Sequence, residues 1–356
     1  MMRMSTFADS GKLHMDLFDQ LIYPNSGADN PQVATGPEYG VDVSLIDLPG
    51  GQSMALTSDP LSWIPTLGLQ ESAWLSVHLM ANDMATTSVA PQFVQLVLNL
   101  PETCTAAEFE QYWMHLHQYC KNIGVAITGG HTGKAAGLNS TLAGGGTMIS
   151  TGPLEHFLLS RYAEPGDTII ITREAAQIAT SILSLSFPET VKKYCGKEIW
   201  IAAAELFYET SSLREGLCAG ELNKTVPAVT AMHDVTEGGI LGAVYEMATA
   251  ASCGATIHKD LLPLGEAQRS VCKLFRIDPL CAVGAGSMIM AAKPQEAGAV
   301  MAHLQQHGIK ATAAGYFTAR EKGICLDTGS GIQQLSRPGP DPYWQAFFTA
   351  LKNEWK

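Results

Sequence analysis

The chain has 356 residues, enough for two domains, and 46% of them are apolar against 16% charged, so a substantial core is available. Thirty-four acidic residues against 22 basic ones leave a formal net charge of −12, which argues against nucleic acid and anionic membrane as partners but not against a nucleotide held through a metal. Eight cysteines without a C-x-x-C pair suit free thiols in a reducing compartment; with no signal-like opening and no run that could span a bilayer, a cytoplasmic setting is expected.

In chain order, Leu13, Leu17 and Leu21, with Phe18 beside them, form an apolar helical stripe that Pro24 closes. Ser10-Gly11-Lys12 before it reads either as an anion-binding helix start or as a flexible lead-in. Val41, Val43 and Leu45 alternate with Asp42 and Ser44 as in a strand, and Pro49-Gly-Gly51 turns the chain into a second strand, Ser53–Ser58. Asp59 stands at that strand's end, the only charged side chain between Leu48 and Gln70. Residues 72–90 read as an apolar helix in which Asp83 is the lone formal charge from Ser72 through Pro101. A carboxylate in such surroundings needs a partner, either a backbone N–H or a metal. Residues 92–100 form an apolar strand. Residues 105–123 form an amphipathic helix, with Thr105 and Glu108 set as a capping box.

Val125–Thr128 is expected to be a short buried strand ending in Gly129-Gly130-His131-Thr132-Gly133-Lys134, the general form of a phosphate loop. Lys134 is the only Lys or Arg between Asn122 and Leu154, and Gly144-Gly-Gly146 leads into another strand. The pattern restarts near Glu164-Pro-Gly-Asp167 with a strand at 168–172 and a helix from about Ala175, which places a domain boundary there. Residues 188–224 are helical without an evident motif. Further elements are expected at 266–275 (helix), 287–292 (strand), 294–307 (helix) and 311–317 (a final strand), with an amphipathic tail at 343–351. Strands alternate with helices in both halves, as in α/β or α+β units.

The stretch His233-Asp-Val-Thr-Glu-Gly-Gly239 precedes a helix whose apolar face is Ile240, Val244, Met247, Ala248 and Ala251. Thr236 or Asp234 can cap its start, and Gly238 and Gly239 would let a phosphate approach the backbone. Two carboxylates there would repel bare phosphate unless a divalent cation sits between. Signatures of P-loop ATPases, zinc and serine hydrolases and Rossmann dehydrogenases are absent, and the ten histidines and eight cysteines show no metal-ligand spacing. Widely separated aspartates beside strand ends and glycine turns remain, as expected of a magnesium–nucleotide site without a P-loop.

As a set, these residues resemble the PurM-like superfamily of aminoimidazole-ribonucleotide (AIR) synthetase, selenophosphate synthetase, thiamine-phosphate kinase and HypE, and most closely the HypE-like, AIR synthase-related proteins. The segment 233–243 is similar to their second-domain signature, Met80-Ala-Asn-Asp-Met-Ala85 to their N-D motif, and Thr57-Ser-Asp-Pro60 to their T-D strand end. Gly129-Gly-His-Thr132 resembles their glycine turn, and Gly40-Val-Asp-Val-Ser-Leu-Ile their G-D-D segment. The resemblance implies a lead-in over 1–35, an N-terminal domain over 36–160 that pairs with a second copy in a dimeric β-barrel, a C-terminal α/β domain over 161–335, and a tail helix over 336–356. It also implies a homodimer that uses ATP and Mg²⁺ to phosphorylate a carbonyl or amide oxygen of a small molecule, any protein partner being unspecified.

Carried over by position, Asp42, Asp59 and Asp83 become metal ligands, while Gly129, Gly130, Thr132, Lys134, Gly238 and Gly239 become nucleotide contacts. Asp234 and His131 become catalytic candidates, and Glu237 is expected to be structural. Val41 stands where many members carry an aspartate, His131 where a carboxylate is commoner, and Gly133 where Glu often follows. Val41 and Gly133 support, as an alternative, a nucleotide-binding scaffold without turnover; a second alternative is a HypE-type maturation factor working with a partner that supplies the thiol. The last cysteine is Cys325, so carbamoyl dehydration on the chain's own tail is not expected.

Overall fold

The computed structural model describes residues 11–12, 15–138 and 142–356. The lead-in coils through α1 (Met15–Leu17), a π turn at Phe18–Ile22 and a 3₁₀ turn at Tyr23–Asn25. Of the expected apolar stripe, Leu17 is buried and Leu21 is 53% exposed, while Leu13, like Ser10, lies outside the described residues.

The first sheet is built from β1 (Val33–Thr35), β2 (Ser44–Leu48), β3 (Gln52–Pro60), β4 (Phe93–Pro101), β5 (Ala126–Ala135) and β6 (Ala143–Pro153). Their spatial order is β1-β2-β3-β6-β4-β5, and only β4 and β5 run parallel. Strand alternation decides the faces. Val94, Leu96 and Leu98 are buried beneath α2 (Leu69–Ala85) and α3 (Ala106–Asn122), whereas Phe93, Gln95 and Val97 on the other face are open. The expected capping box at Thr105 and Glu108 is present, with both reciprocal hydrogen bonds made. The expected turn at Gly129–Gly130 is not: β5 runs through it. Gly130 has φ +135°, and a Cβ there would lie 1.8 Å from the Leu96 carbonyl oxygen, so the bare backbone is what lets β5 close on β4.

The second unit contains β7 (Thr168–Thr172), α4 (Gln177–Ser186), α5 (Pro188–Cys195), α6 (Lys197–Glu205), α7 (Leu213–Asn223), β8 (Val229–Asp234), α8 (Gly239–Ala250), β9 (Gly254–His258), α9 (Glu266–Phe275), β10 (Met288–Ala292), α10 (Ala297–Gln306) and β11 (Ala311–Thr318). Two strands follow that the sequence did not announce, β12 (Ile324–Asp327) and β13 (Ile332–Gln334), and then the tail helix α11 (Pro342–Lys352). The sheet order is β13-β12-β9-β11-β7-β10-β8, antiparallel except between β12 and β9. This corrects the α/β expectation. Helices separate many strands, yet the strands reverse direction, so the chain is α+β with two mixed sheets.

α2 joins the two units. Its Leu75 packs with the apolar residues of α4, α6 and α9, and Asn82, fully buried, clamps the turn before α7. The Asn82 amide donates to the Thr210 carbonyl oxygen at 2.9 Å, and its Oδ1 accepts the Ser212 N–H at 2.7 Å. Asn82→Ala leaves both backbone groups buried without partners, and urea denaturation is expected to show a loss of about 2–4 kcal/mol. A change below about 0.5 kcal/mol would show that the clamp carries no stability.

Candidate active site between the two sheets

β8 delivers His233 and Asp234 at its end, where the antiparallel register sets them opposite Ile289 and Met288. Both are about 2% exposed. From the first unit comes Asp42, in the loop before β2; its Oδ2 lies 2.8 Å from His233 Nδ1. Glu246, two turns into α8, places Oε2 3.1 Å from His233 Nε2. A carboxylate facing each ring nitrogen makes both nitrogens donors. Burial pushes the His233 pKa down, but Asp42 and Glu246 outweigh it and raise it well above the usual histidine range. Although Asp42, His233 and Asp234 lie within 4.8 Å of one another, the imidazolium has no lone pair to offer a metal. It organises carboxylates instead.

β3 and α2 add the other two acids. Thr57 and Asp59 share the face of β3 that looks toward α2, and Thr57 Oγ1 donates to Asp83 Oδ2 at 2.6 Å. Burial and the repulsion of Asp59, Asp234 and Asp42 push Asp83 well above the ordinary carboxylate range, and burial likewise raises Asp59. Asp234 is pushed up to about 8, first by burial and then by Asp42, with His233 and Lys12 opposing. Its Oδ2 is buried and has no hydrogen-bond partner among the described residues. Four acids crowded in this way are costly unless a cation or protons compensate them.

Lys12 supplies one positive charge. Much of the residue is exposed, but its ammonium turns inward, with Nζ donating to Thr236 Oγ1 at 3.3 Å. Withdrawal from water lowers its pKa, yet Glu246, Asp234, Glu237 and Asp83 together raise it. Glu237 holds the lead-in and the tail at once. Its Oε2 accepts the Lys12 backbone N–H at 3.0 Å, and its Oε1 accepts Trp344 Nε1 at 3.0 Å.

The acids expected from sequence, Asp42, Asp59, Asp83 and Asp234, converge. Gly129 and Gly130, on β5, do not join them. Asp59 pairs with Gly146, Gly146 with Leu96 and Leu96 with Gly130, so one row crosses four strands. Gly130 is therefore three strand spacings, roughly 14 Å, from Asp59. His131 and Thr132 lie farther along the exposed edge strand, and Lys134 donates to the Glu102 carbonyl oxygen at 3.1 Å. On the open face of the first sheet, a groove of about 470 Å³ is lined by Ser58, Asp59, Pro60, Gln95, Val97 and Gly144–Thr147, so that of the four acids Asp59 borders it.

The start of α8 also departs from expectation. Neither Thr236 nor Asp234 caps it. The Gly238 N–H is taken at 2.8 Å by Asp341, which also caps α11 through the Tyr343 N–H at 2.8 Å. The anion position at this helix start is thus filled by the chain's own carboxylate. Gly238 faces Pro338, and Gly239 sits against the backbone of 280–282. Glu246 stood outside the expected site, and Lys12 entered only as part of the Ser10-Gly11-Lys12 lead-in, with no link to the carboxylates. The signal for Glu246 was a lone charge in the otherwise uncharged helix α8.

Models of the AIR synthase related protein family match both units, the N-terminal domain over residues 40–150 and the C-terminal domain over 164–327. The chain belongs to this family and has its PurM-like two-domain α+β fold. It is 26% identical over 276 residues to a hydrogenase expression/formation protein of Methanocaldococcus jannaschii, covering 75% of this chain and 76% of that one. To the carbamoyl dehydratase HypE of Escherichia coli it is 25% identical over 276 residues, with the same coverage. A crystal structure of E. coli HypE matches with a TM-score of 0.69 at 23% identity over 88% of this chain and 95% of that one. HypE in complex with ATP matches at 0.65 and 20% identity over 94% and 97%. Among the described residues no helix is long and apolar enough to cross a membrane.

Proposed function

We propose that this chain is a Mg²⁺- and ATP-dependent enzyme that transfers the terminal phosphoryl group of ATP to a carbonyl or amide oxygen of a small molecule, releasing ADP. The observation that carries this reading is the convergence of Asp42, Asp59, Asp83 and Asp234, one of them with a buried oxygen that has no hydrogen-bond partner among the described residues. An all-oxygen, strongly anionic donor set suits Mg²⁺, and the four aspartates are the residues that would hold it. Bound there, the ion would neutralise phosphate charge during transfer. His233 and Glu246 fix the orientation of Asp42, and Lys12 can offset charge on a phosphoryl oxygen at the same mouth. Gly129, Gly130, His131, Thr132 and Lys134 would be reached by the far end of a nucleotide lying along the groove. Val41, where relatives often have an aspartate, packs against the core of the first unit, which fits a site that works without that ligand.

The long exposed edge of β5 and the open face carrying Phe93 and Val97 support pairing with a second copy through the first sheet. Calorimetric titration of ATP and ADP is expected to show binding that requires Mg²⁺ and is lost in Asp59→Asn and Asp83→Asn. Failure of the parent protein to bind either nucleotide, with or without Mg²⁺, would overturn the proposal. Tight binding without phosphate release across a metabolite panel would favour a scaffold instead.

A further inference from the structure

A second group of metal-type donors lies away from the carboxylates, on the outer helices of the second unit. Cys218 and Glu221 stand one turn apart on α7, and His303 and His307 stand four residues apart at the end of α10. Cys218 Sγ and one ring nitrogen from each histidine lie within 4.8 Å of one another. Glu221 Oε2 is 3.9 Å from His307 Nε2. Donors around a tetrahedral zinc ion are roughly 3.3–3.7 Å apart, so small side-chain rotations close the set. The tautomers are also set for ligation. His307 Nδ1 lies 2.9 Å from the His303 carbonyl oxygen, which can only accept, so Nδ1 carries the proton and Nε2 keeps its lone pair. His303 Nε2 is buried without a hydrogen-bond partner among the described residues.

We propose that Cys218, His303, His307 and Glu221 form a zinc site that clips α7 to α10. One thiolate, two imidazoles and one carboxylate are the borderline-soft donors that zinc selects, and magnesium does not. The thiol proton leaves on binding, so one proton is released per ion. Access is provided on the solvent side, where His307 and Glu221 are 36% and 66% exposed, while Cys218 anchors the site in the core. Nearby, Arg214 donates to the His307 carbonyl oxygen at 2.6 Å and already holds the two helices together at that end.

The clip has a structural consequence. Gly216 and Gly220 lie on the opposite side of α7, close against the carbonyls of Ala85 and Ser88 at the end of α2. Fixing α7 to α10 therefore fixes the face of α7 that presses on the helix carrying Asn82 and Asp83.

The test uses the full chain, stripped with EDTA and titrated with Co²⁺. One equivalent is expected to give tetrahedral d–d absorption and a thiolate-to-cobalt charge-transfer band, both bleached by Zn²⁺. Cys218→Ser is expected to abolish the charge-transfer band, and His307→Gln, at the surface and harmless to folding, to abolish stoichiometric binding. Asp83→Asn is expected to keep the band, because the carboxylate cluster contains no thiolate. Absence of the band from the folded parent protein would overturn the zinc site, as would its survival in His307→Gln or its loss in Asp83→Asn. Each of these three failures leaves Mg²⁺-dependent nucleotide binding to be judged separately.

Discussion

Asp234→Asn is expected to melt at a higher temperature than the parent chain in the absence of metal, yet to turn over roughly 10²–10³-fold more slowly. Stability and activity separate because the buried Asp234 carboxylate has a strained metal-free state. Burial and Asp42 push it up to about 8 from an ordinary value of 3.8. Between those two values the folded chain keeps a proton that the unfolded chain has lost. Stability therefore falls as pH rises through that window and stops falling near pH 8. Asparagine removes the ionisable group and with it that loss. Mg²⁺ replaces the proton, so the rise in melting temperature on adding Mg²⁺ should grow between about pH 6 and about pH 8 in the parent and be largely absent in the variant. Scanning calorimetry with EDTA and with Mg²⁺ across this range measures both. An asparagine variant that is less stable than the parent without metal, with an unchanged pH slope, would mark Asp234 as an ordinary structural acid and remove it from the site.

How far the sequence could foretell this site depended on what each residue needed. Asp59 and Asp83 could be found because each is a lone charge in an apolar stretch, and a lone charge requires compensation wherever the chain folds. The strand at 168–172 and the capping box at Thr105 are local patterns, and they formed where expected. The Gly129–Gly130 run was misread as a turn because glycines show no side-chain alternation; only the pairing with β4 makes the segment a strand. Long-range contacts left no trace. Asp341 caps a helix that begins at Gly239, about a hundred residues earlier, and no spacing rule ties the two. The Cys218–His303–His307 group was only half hidden: His303 and His307 stand at i, i+4, a metal-ligand spacing that corrects the expectation of none, whereas Cys218 comes from a helix that meets α10 only in the folded chain. The antiparallel order of the second sheet was equally hidden, because helices between strands are compatible with either direction.

His233→Ala is expected to cost about 3–5 kcal/mol, the usual range when one partner of a buried ion pair is removed. The change leaves Asp42 and Glu246, 10% and 14% exposed, without the imidazolium that faces both. Because Asp42 comes from the first unit and Glu246 from the second, the loss falls on the contact between units as well as on the site. The charge on His233 contributes its full stabilisation below its unfolded value near 6.5; above that value the contribution falls as pH rises, and it is gone once pH has passed the raised folded value. Urea denaturation at about pH 6 should show the full cost, and the difference between parent and His233→Ala should narrow steadily as pH rises. His233→Leu combined with Asp42→Asn and Glu246→Gln should recover much of the stability, since no unpaired charge is then left, while Mg²⁺-dependent nucleotide binding stays impaired for want of Asp42. A His233→Ala cost below about 1 kcal/mol at neutral pH would mean that water reaches both carboxylates. The histidine would then not be what holds Asp42 toward the metal.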